Sequence, residues 1–168
     1  MSAGGSGESD AGKTHIVIGC YIFKEEKAQA KLLFIHHTKL NLWLPPGGHI
    51  EENETPDDAC LREAQEEVGL SIELLSQNPI PMEGNIVRNC AVPFHVNVHS
   101  VKDHDHCCLF YVCRALNPEQ LAINAESKEY MWVAENEITQ ERIPPDVRAI
   151  ARLAFGEYQK WKANIKKK

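Results

Sequence analysis

Residues 62–67 read Arg-Glu-Ala-Gln-Glu-Glu, which sets Glu66 three and Glu67 four positions beyond Glu63. Residues at that spacing are neighbours on one face of a helix. Three carboxylates crowded there repel one another, and a cation offsets that cost. A hard divalent ion such as Mg²⁺ suits them because it takes oxygen ligands. An ion held in this way can stabilise negative charge on a bound oxygen and lower the pKa of water. The plain alternative is a solvated acidic face on an amphipathic helix.

The surrounding residues predict the helix. Thr55 suits an N-cap and Pro56 the first helical position, where a missing N–H costs nothing. Asp57 and Asp58 meet the positive end of the helix dipole, and Gly69 is a stop signal. A helix over 56–68 gathers Cys60, Leu61, Ala64 and Val68 on one side, to pack on a core. Glu63, Glu66 and Glu67 gather on an adjacent side, to face a cleft.

The stretch from Gly48 to Leu70 resembles the Nudix box. That pattern is Gly, five residues, Glu, seven residues, Arg-Glu, an aliphatic residue, any residue, Glu-Glu, any residue, Gly, aliphatic. Here Gly48, Glu54, Arg62-Glu63, Ala64, Glu66-Glu67, Gly69 and Leu70 fill it. Ala64 is the soft departure, small where a larger aliphatic residue is usual. The lead-in Trp43-Leu44-Pro45-Pro46-Gly47-Gly48-His49 is similar to the family's Pro-Gly-Gly approach. The resemblance implies Mg²⁺ (or Mn²⁺) held by Glu66 and Glu67, with Glu63 as a further ligand or the base and the Gly48 carbonyl as a backbone ligand. Arg62 then pairs with a box carboxylate and holds its rotamer. Glu54 fixes the loop, binds a further ion through water, or is a solvated loop acid. Family members also draw a carboxylate from a later loop, for which Glu126 and Glu129 are the candidates; each is equally readable as a surface acid.

Further residues are candidates for substrate. His49 lines the site or points to solvent. Trp43 stacks on a base or fills the core, and for strand aromatics the core is favoured. Arg88 lies in the loop 77–93, whose length marks it as a substrate-selecting element. The segment His104-Asp105-His106-Cys107-Cys108 carries metal-ligand types but no second half-site at paired spacing. A polar hairpin turn running into a buried strand, with His104 or His106 facing phosphate, is the simpler reading.

Length and composition fit one domain. The chain has 168 residues, 43% apolar and 25% charged, enough to bury a substantial core. Residues 1–12, rich in Gly and Ser, read as a flexible N-terminal tail, and 13–168 as a single domain. A net charge of −6 argues against a nucleic-acid binder. No apolar run is long enough for a membrane span, and no signal peptide is evident. Six cysteines without a CxxC pair read as reduced thiols in the cytoplasm.

Strands are expected over 15–24, 31–37, 71–76, 94–101, 107–115 and 129–133, with 102–106 as a hairpin turn and a second helix from Pro144 or Pro145 to about Ala163. Its inward residues are expected to be Val147, Ile150, Ala151, Leu153, Ala154 and Tyr158. Strands with two substantial helices suggest an α/β class. The resemblance sharpens this to the Nudix fold, an α/β/α sandwich with a mixed β-sheet between helices. It also implies a nucleotide-type small-molecule substrate, with a homodimer among the expected assemblies. The leading expectation is a Mg²⁺-dependent hydrolase of a phosphoanhydride in a nucleoside diphosphate linked to another moiety, or in a nucleoside triphosphate. The alternatives are a non-hydrolytic nucleotide- or RNA-binding module on this fold, and an isomerase of isoprenoid diphosphates, for which Cys60 in the core stripe is poorly placed.

Overall fold

The structure, a computed structural model, describes residues 12–76 and 80–167. Apart from Gly12, the expected tail lies outside them, as do residues 77–79 of the long loop. The order is β1 (Thr14–Glu26), β2 (Gln29–His37), β3 (Leu42–Leu44), β4 (Gly47–His49), α1 (Pro56–Val68), β5 (Ile72–Leu74), β6 (His95–Val101), β7 (His104–Ala115), β8 (Ser127–Ala134) and α2 (Pro145–Ile165). Single 3-10 turns at Pro118–Gln120 and Glu135–Glu137 flank β8.

The strands form one mixed sheet. Its centre is the parallel pair β1 and β7, in register from Thr14 opposite Asp105 to Phe23 opposite Arg114. The other pairings are antiparallel. β1 pairs with β2 through its last residues and with β4 through Val17–Gly19. Strand β4, only three residues long, thus hangs the start of the 48–70 segment on the central strand. The Pro-Pro-Gly-Gly run leads directly into this strand, whose first two residues are Gly47 and Gly48.

Period-two alternation along β1 divides two cores. Val17, Tyr21 and Phe23 face one side, where Val147, Ile150, Ala151, Ala154, Phe155 and Tyr158 of α2 cover them. Ile18, Cys20 and Ile22 face the other, against Ala59, Cys60, Ala64 and Val68 of α1. The result is an α/β/α sandwich, as expected. Ala64 is fully buried, so its small side chain is part of a close helix–sheet contact. Two inward assignments are corrected. Leu61 and Leu153 are about half exposed, while Ala59 and Phe155 take the buried places. The error is one of phase, because each stripe is a residue or two round the helix from where the largest apolar side chains suggested.

Capping follows the sequence closely. Thr55 Oγ accepts from the Asp58 N–H, and Asp58 reaches back to the Thr55 N–H. Gly69 closes α1 at φ 65°, a left-handed conformation that costs glycine little. The loop from 80 to 93 carries no helix or strand among its described residues. The strand β7 begins at His104, so the hairpin turn is two residues long and His104 and His106 lie in the sheet.

Candidate active site

Arg62 is the organising residue. Its guanidinium has five N–H donors in a planar fork, and each has an acceptor. Nε donates to Glu54 Oε1 at 2.8 Å, and Nη2 donates to Glu54 Oε2 and to the His49 carbonyl, each at 2.9 Å. Nη1 donates to Glu63 Oε1 at 2.8 Å and to Glu66 Oε2 at 3.3 Å. One side chain therefore fixes two box carboxylates on α1, the loop acid Glu54, and the backbone just after Gly48. Glu54 most of all, and then Glu63, hold the Arg62 guanidinium firmly protonated. The same bonds hold the Glu54 carboxyl below its usual range.

The three helical carboxylates occupy a gradient of exposure. The Glu66 side chain is 59% exposed and that of Glu63 is 14% exposed, while Glu67 is buried. Burial raises the Glu63 carboxyl above its usual value even though Arg62 opposes this. Burial pushes Glu67 up to about 8, against the lowering effect of the Gly47 N–H. That N–H donates to Glu67 Oε2 at 2.8 Å, and it is the carboxylate's one hydrogen-bond partner among the described residues. Gly48 lies against Glu63, and a Cβ there would overlap the carboxylate.

This donor set fits a hard divalent cation. A buried carboxylate with a single N–H donor carries an unfavourable charge that a cation relieves. Glu63 shares that burden, and the Glu66 side chain is largely exposed, with Oε2 accepting from Arg62. The missing side chain of Gly48 leaves the main chain in direct contact with the cluster.

The other candidates divide. Glu126, before β8, adds its negative charge to the field that raises Glu67, and so lies on this side of the molecule. Glu129 is an exposed residue of β8. Trp43 is buried, stacks on His36 at 5.1 Å, and has the Arg142 guanidinium 5.0 Å from its ring, which is the core reading. Arg88 pairs with Asp58 and bonds Thr55 Oγ, tying the long loop to the N-terminus of α1.

His49, His104 and His106 come together with a residue the sequence reading passed over, His15. Parallel pairing sets His15 beside His106, and β4 returns His49 next to β1. No local pattern announces this, because the register of a parallel pair joins residues some ninety positions apart. The group lies on the α2 side of the sheet, opposite the box carboxylates, since His15 shares the alternation of Val17 and His106 that of Cys108.

Comparison with known proteins agrees with this architecture. The NUDIX domain family matches residues 13–153. The chain belongs to the Nudix family. A Nudix-family hydrolase from Clostridium perfringens is 28% identical, with a TM-score of 0.69 over 83% of this chain and 95% of that one. A C. elegans Ap4A hydrolase shares the fold at 14% identity, with a TM-score of 0.66 over 89% of this chain and 98% of that one. An 8-oxo-dGTP diphosphatase of Proteus vulgaris is 36% identical over 63 residues, which are 38% of this chain and 56% of that relative. The chain spans about half the length of the curated relatives it matches. Nudix hydrolases generally use a divalent metal. Among the described residues, no helix is long and apolar enough to cross a membrane.

Proposed function

We propose that this Nudix protein is a pyrophosphohydrolase that uses Mg²⁺ (or Mn²⁺) to cleave a phosphoanhydride bond of a nucleotide-type substrate. The substrate is a nucleoside triphosphate or a nucleoside diphosphate linked to another moiety. The observation that carries the reading is the buried Glu67 carboxylate, bonded to the Gly47 N–H and set on the same helix as Glu63 and Glu66, which Arg62 holds. An inert acidic face would leave all three in solvent.

Glu66, Glu67 and the Gly48 carbonyl would hold the ion, which when bound neutralises phosphate charge and acidifies water. Glu63 joins them or takes the proton from the attacking water, and its Oε2 is the oxygen that Arg62 does not hold. Arg62 acts as a positioning residue, fixing the rotamers of Glu63 and Glu66 relative to the His49 backbone. Gly47 and Gly48 let the phosphate chain approach the main chain without a side chain between. Glu126 supplies a further carboxylate from the loop before β8. Five cysteines, 20, 60, 107, 108 and 113, are free thiols, and we read this as a cytoplasmic protein. A homodimer is the assembly we take as the starting expectation.

The test is metal-dependent formation of nucleotide cleavage products, separated by anion-exchange chromatography, across nucleoside triphosphates including oxidised purines, nucleoside diphosphate conjugates and dinucleotide polyphosphates, with Glu67→Gln as the blank. Turnover of one class above that blank supports hydrolysis and names the class. Silence across the panel, with metal and nucleotide still raising the melting temperature, overturns hydrolysis in favour of binding.

A further inference from the structure

We propose that His15, His49, His104 and His106 form a second metal site, separate from the box carboxylates, for a borderline divalent ion of the zinc type. One ring nitrogen from each lies within 4.8 Å of those of the other three. Two facing pairs make up the group, His15 Nδ1 with His49 Nε2 at 3.1 Å and His104 Nε2 with His106 Nε2 at 3.0 Å. Nitrogens at the corners of a tetrahedral zinc site, with bonds of about 2.0–2.1 Å, stand roughly 3.3 Å apart. The two pairs are therefore at ligand spacing already, and the pairs themselves need only small side-chain shifts to converge.

The chemistry selects the ion. Among the described residues the group consists of four imidazoles with no carboxylate oxygen in it, a set that suits zinc, copper, nickel or cobalt and not Mg²⁺. Asp103 adds the outer contact expected of such a site. Its Oδ1 is 3.1 Å from His104 Nδ1. A carboxylate only accepts, so Nδ1 carries the proton and the Nε2 lone pair points at His106. His106 is partly buried and sits among its histidine neighbours, with ring centroids 5.1 Å from His49 and 4.9 Å from His104.

The site joins three strands that are distant in sequence: the start of β1, the end of β4 and the start of β7. It also adjoins the box by a single residue. Gly48 faces Glu63 on the α1 side of the sheet, while the next residue, His49, turns its ring to the other side. The His49 carbonyl in turn accepts from Arg62. An ion here would pin the strand that carries the Gly48 carbonyl.

The experiment uses Co²⁺ as the probe, added to the full chain in excess Mg²⁺ so that the box is filled. Tetrahedral Co²⁺ with nitrogen ligands absorbs visible light strongly, whereas Co²⁺ held by carboxylates and water absorbs weakly. One equivalent of Co²⁺ should give the strong band, and one equivalent of Zn²⁺ should bleach it. His15→Gln and His104→Gln should each weaken Co²⁺ binding at least tenfold with the far-ultraviolet circular dichroism unchanged, and Glu66→Gln should leave the band intact. A weak band in the wild-type protein, a strong one surviving in both folded histidine variants, or one lost in Glu66→Gln overturns the proposal. Should either histidine variant fail to fold, the wild-type and Glu66→Gln spectra decide.

Discussion

Arg62 and Glu54 meet through two parallel hydrogen bonds, Nε to Oε1 at 2.8 Å and Nη2 to Oε2 at 2.9 Å. Residues on helix and loop, eight positions apart, are thereby locked in one plane, and the other edge of the fork is aimed at Glu63 and Glu66. A lysine cannot reproduce this, because a single ammonium cannot satisfy the loop acid and both helical acids at those angles. Arg62→Lys should keep the fold and lower kcat about 10–100-fold, the range seen when residues supporting metal ligands are lost. Steady-state kinetics with a matched thermal melt would check this. Full turnover in the variant would remove the positioning role.

Glu66 and Glu67 should be equivalent in activity and different in stability. Both Glu66→Gln and Glu67→Gln should abolish most turnover, since each removes a carboxylate proposed to hold the ion. Glu67 is buried, and a glutamine there still offers a carbonyl oxygen to the Gly47 N–H without a buried charge. The metal-free melting temperature should therefore rise in Glu67→Gln. The exposed Glu66 side chain should change it by no more than about 0.5 kcal/mol equivalent. Calorimetry in chelator on the three proteins separates these outcomes.

The helix carrying these residues was legible because its signals are local. Thr55, Pro56 and Gly69 bound α1 at the residues expected. The grouping of Glu63, Glu66 and Glu67 follows from helical spacing alone. What escaped the sequence depends on pairing. The start of β7 at His104 needs the β6 partner, the short strand at Gly47 needs β1, and the meeting of His15 with His106 needs the parallel register. The depth of Glu67 was also hidden, because periodicity placed it with its neighbours and the lead-in strand buries it.

Gly48→Ala tests how closely the main chain and the cluster are fitted. An added Cβ would overlap the Glu63 carboxylate, which cannot withdraw without releasing Arg62 Nη1. The expected result is weaker Mg²⁺ binding and a kcat at least tenfold lower, with a small loss of stability. Calorimetric metal titration alongside kinetics measures both. If metal affinity is unchanged, the Gly48 main chain is not part of the metal site.

The last prediction concerns pH and the metal-free protein. Glu67 is raised to about 8 in the folded state from an ordinary 4.5. Below about pH 4.5 both states carry the proton and the group costs nothing. Between there and about pH 8 the folded protein keeps the proton that the unfolded chain has lost, so stability falls as pH rises, by at most about 1.4 kcal/mol per pH unit. Glu63, also raised by burial, acts in the same direction. His106 acts oppositely, since its folded value of about 4 lies below its usual 6.5, and its contribution rises up to about pH 6.5 and then stops. The clean window is thus pH 6.5 to 8. There the wild-type melting temperature in chelator should fall by a few degrees, while that of Glu67→Gln should stay nearly flat. Saturating Mg²⁺ should reverse the wild-type trend, because the ion binds the deprotonated form. Parallel slopes for the two proteins in chelator would mean that Glu67 is already charged at neutral pH without metal.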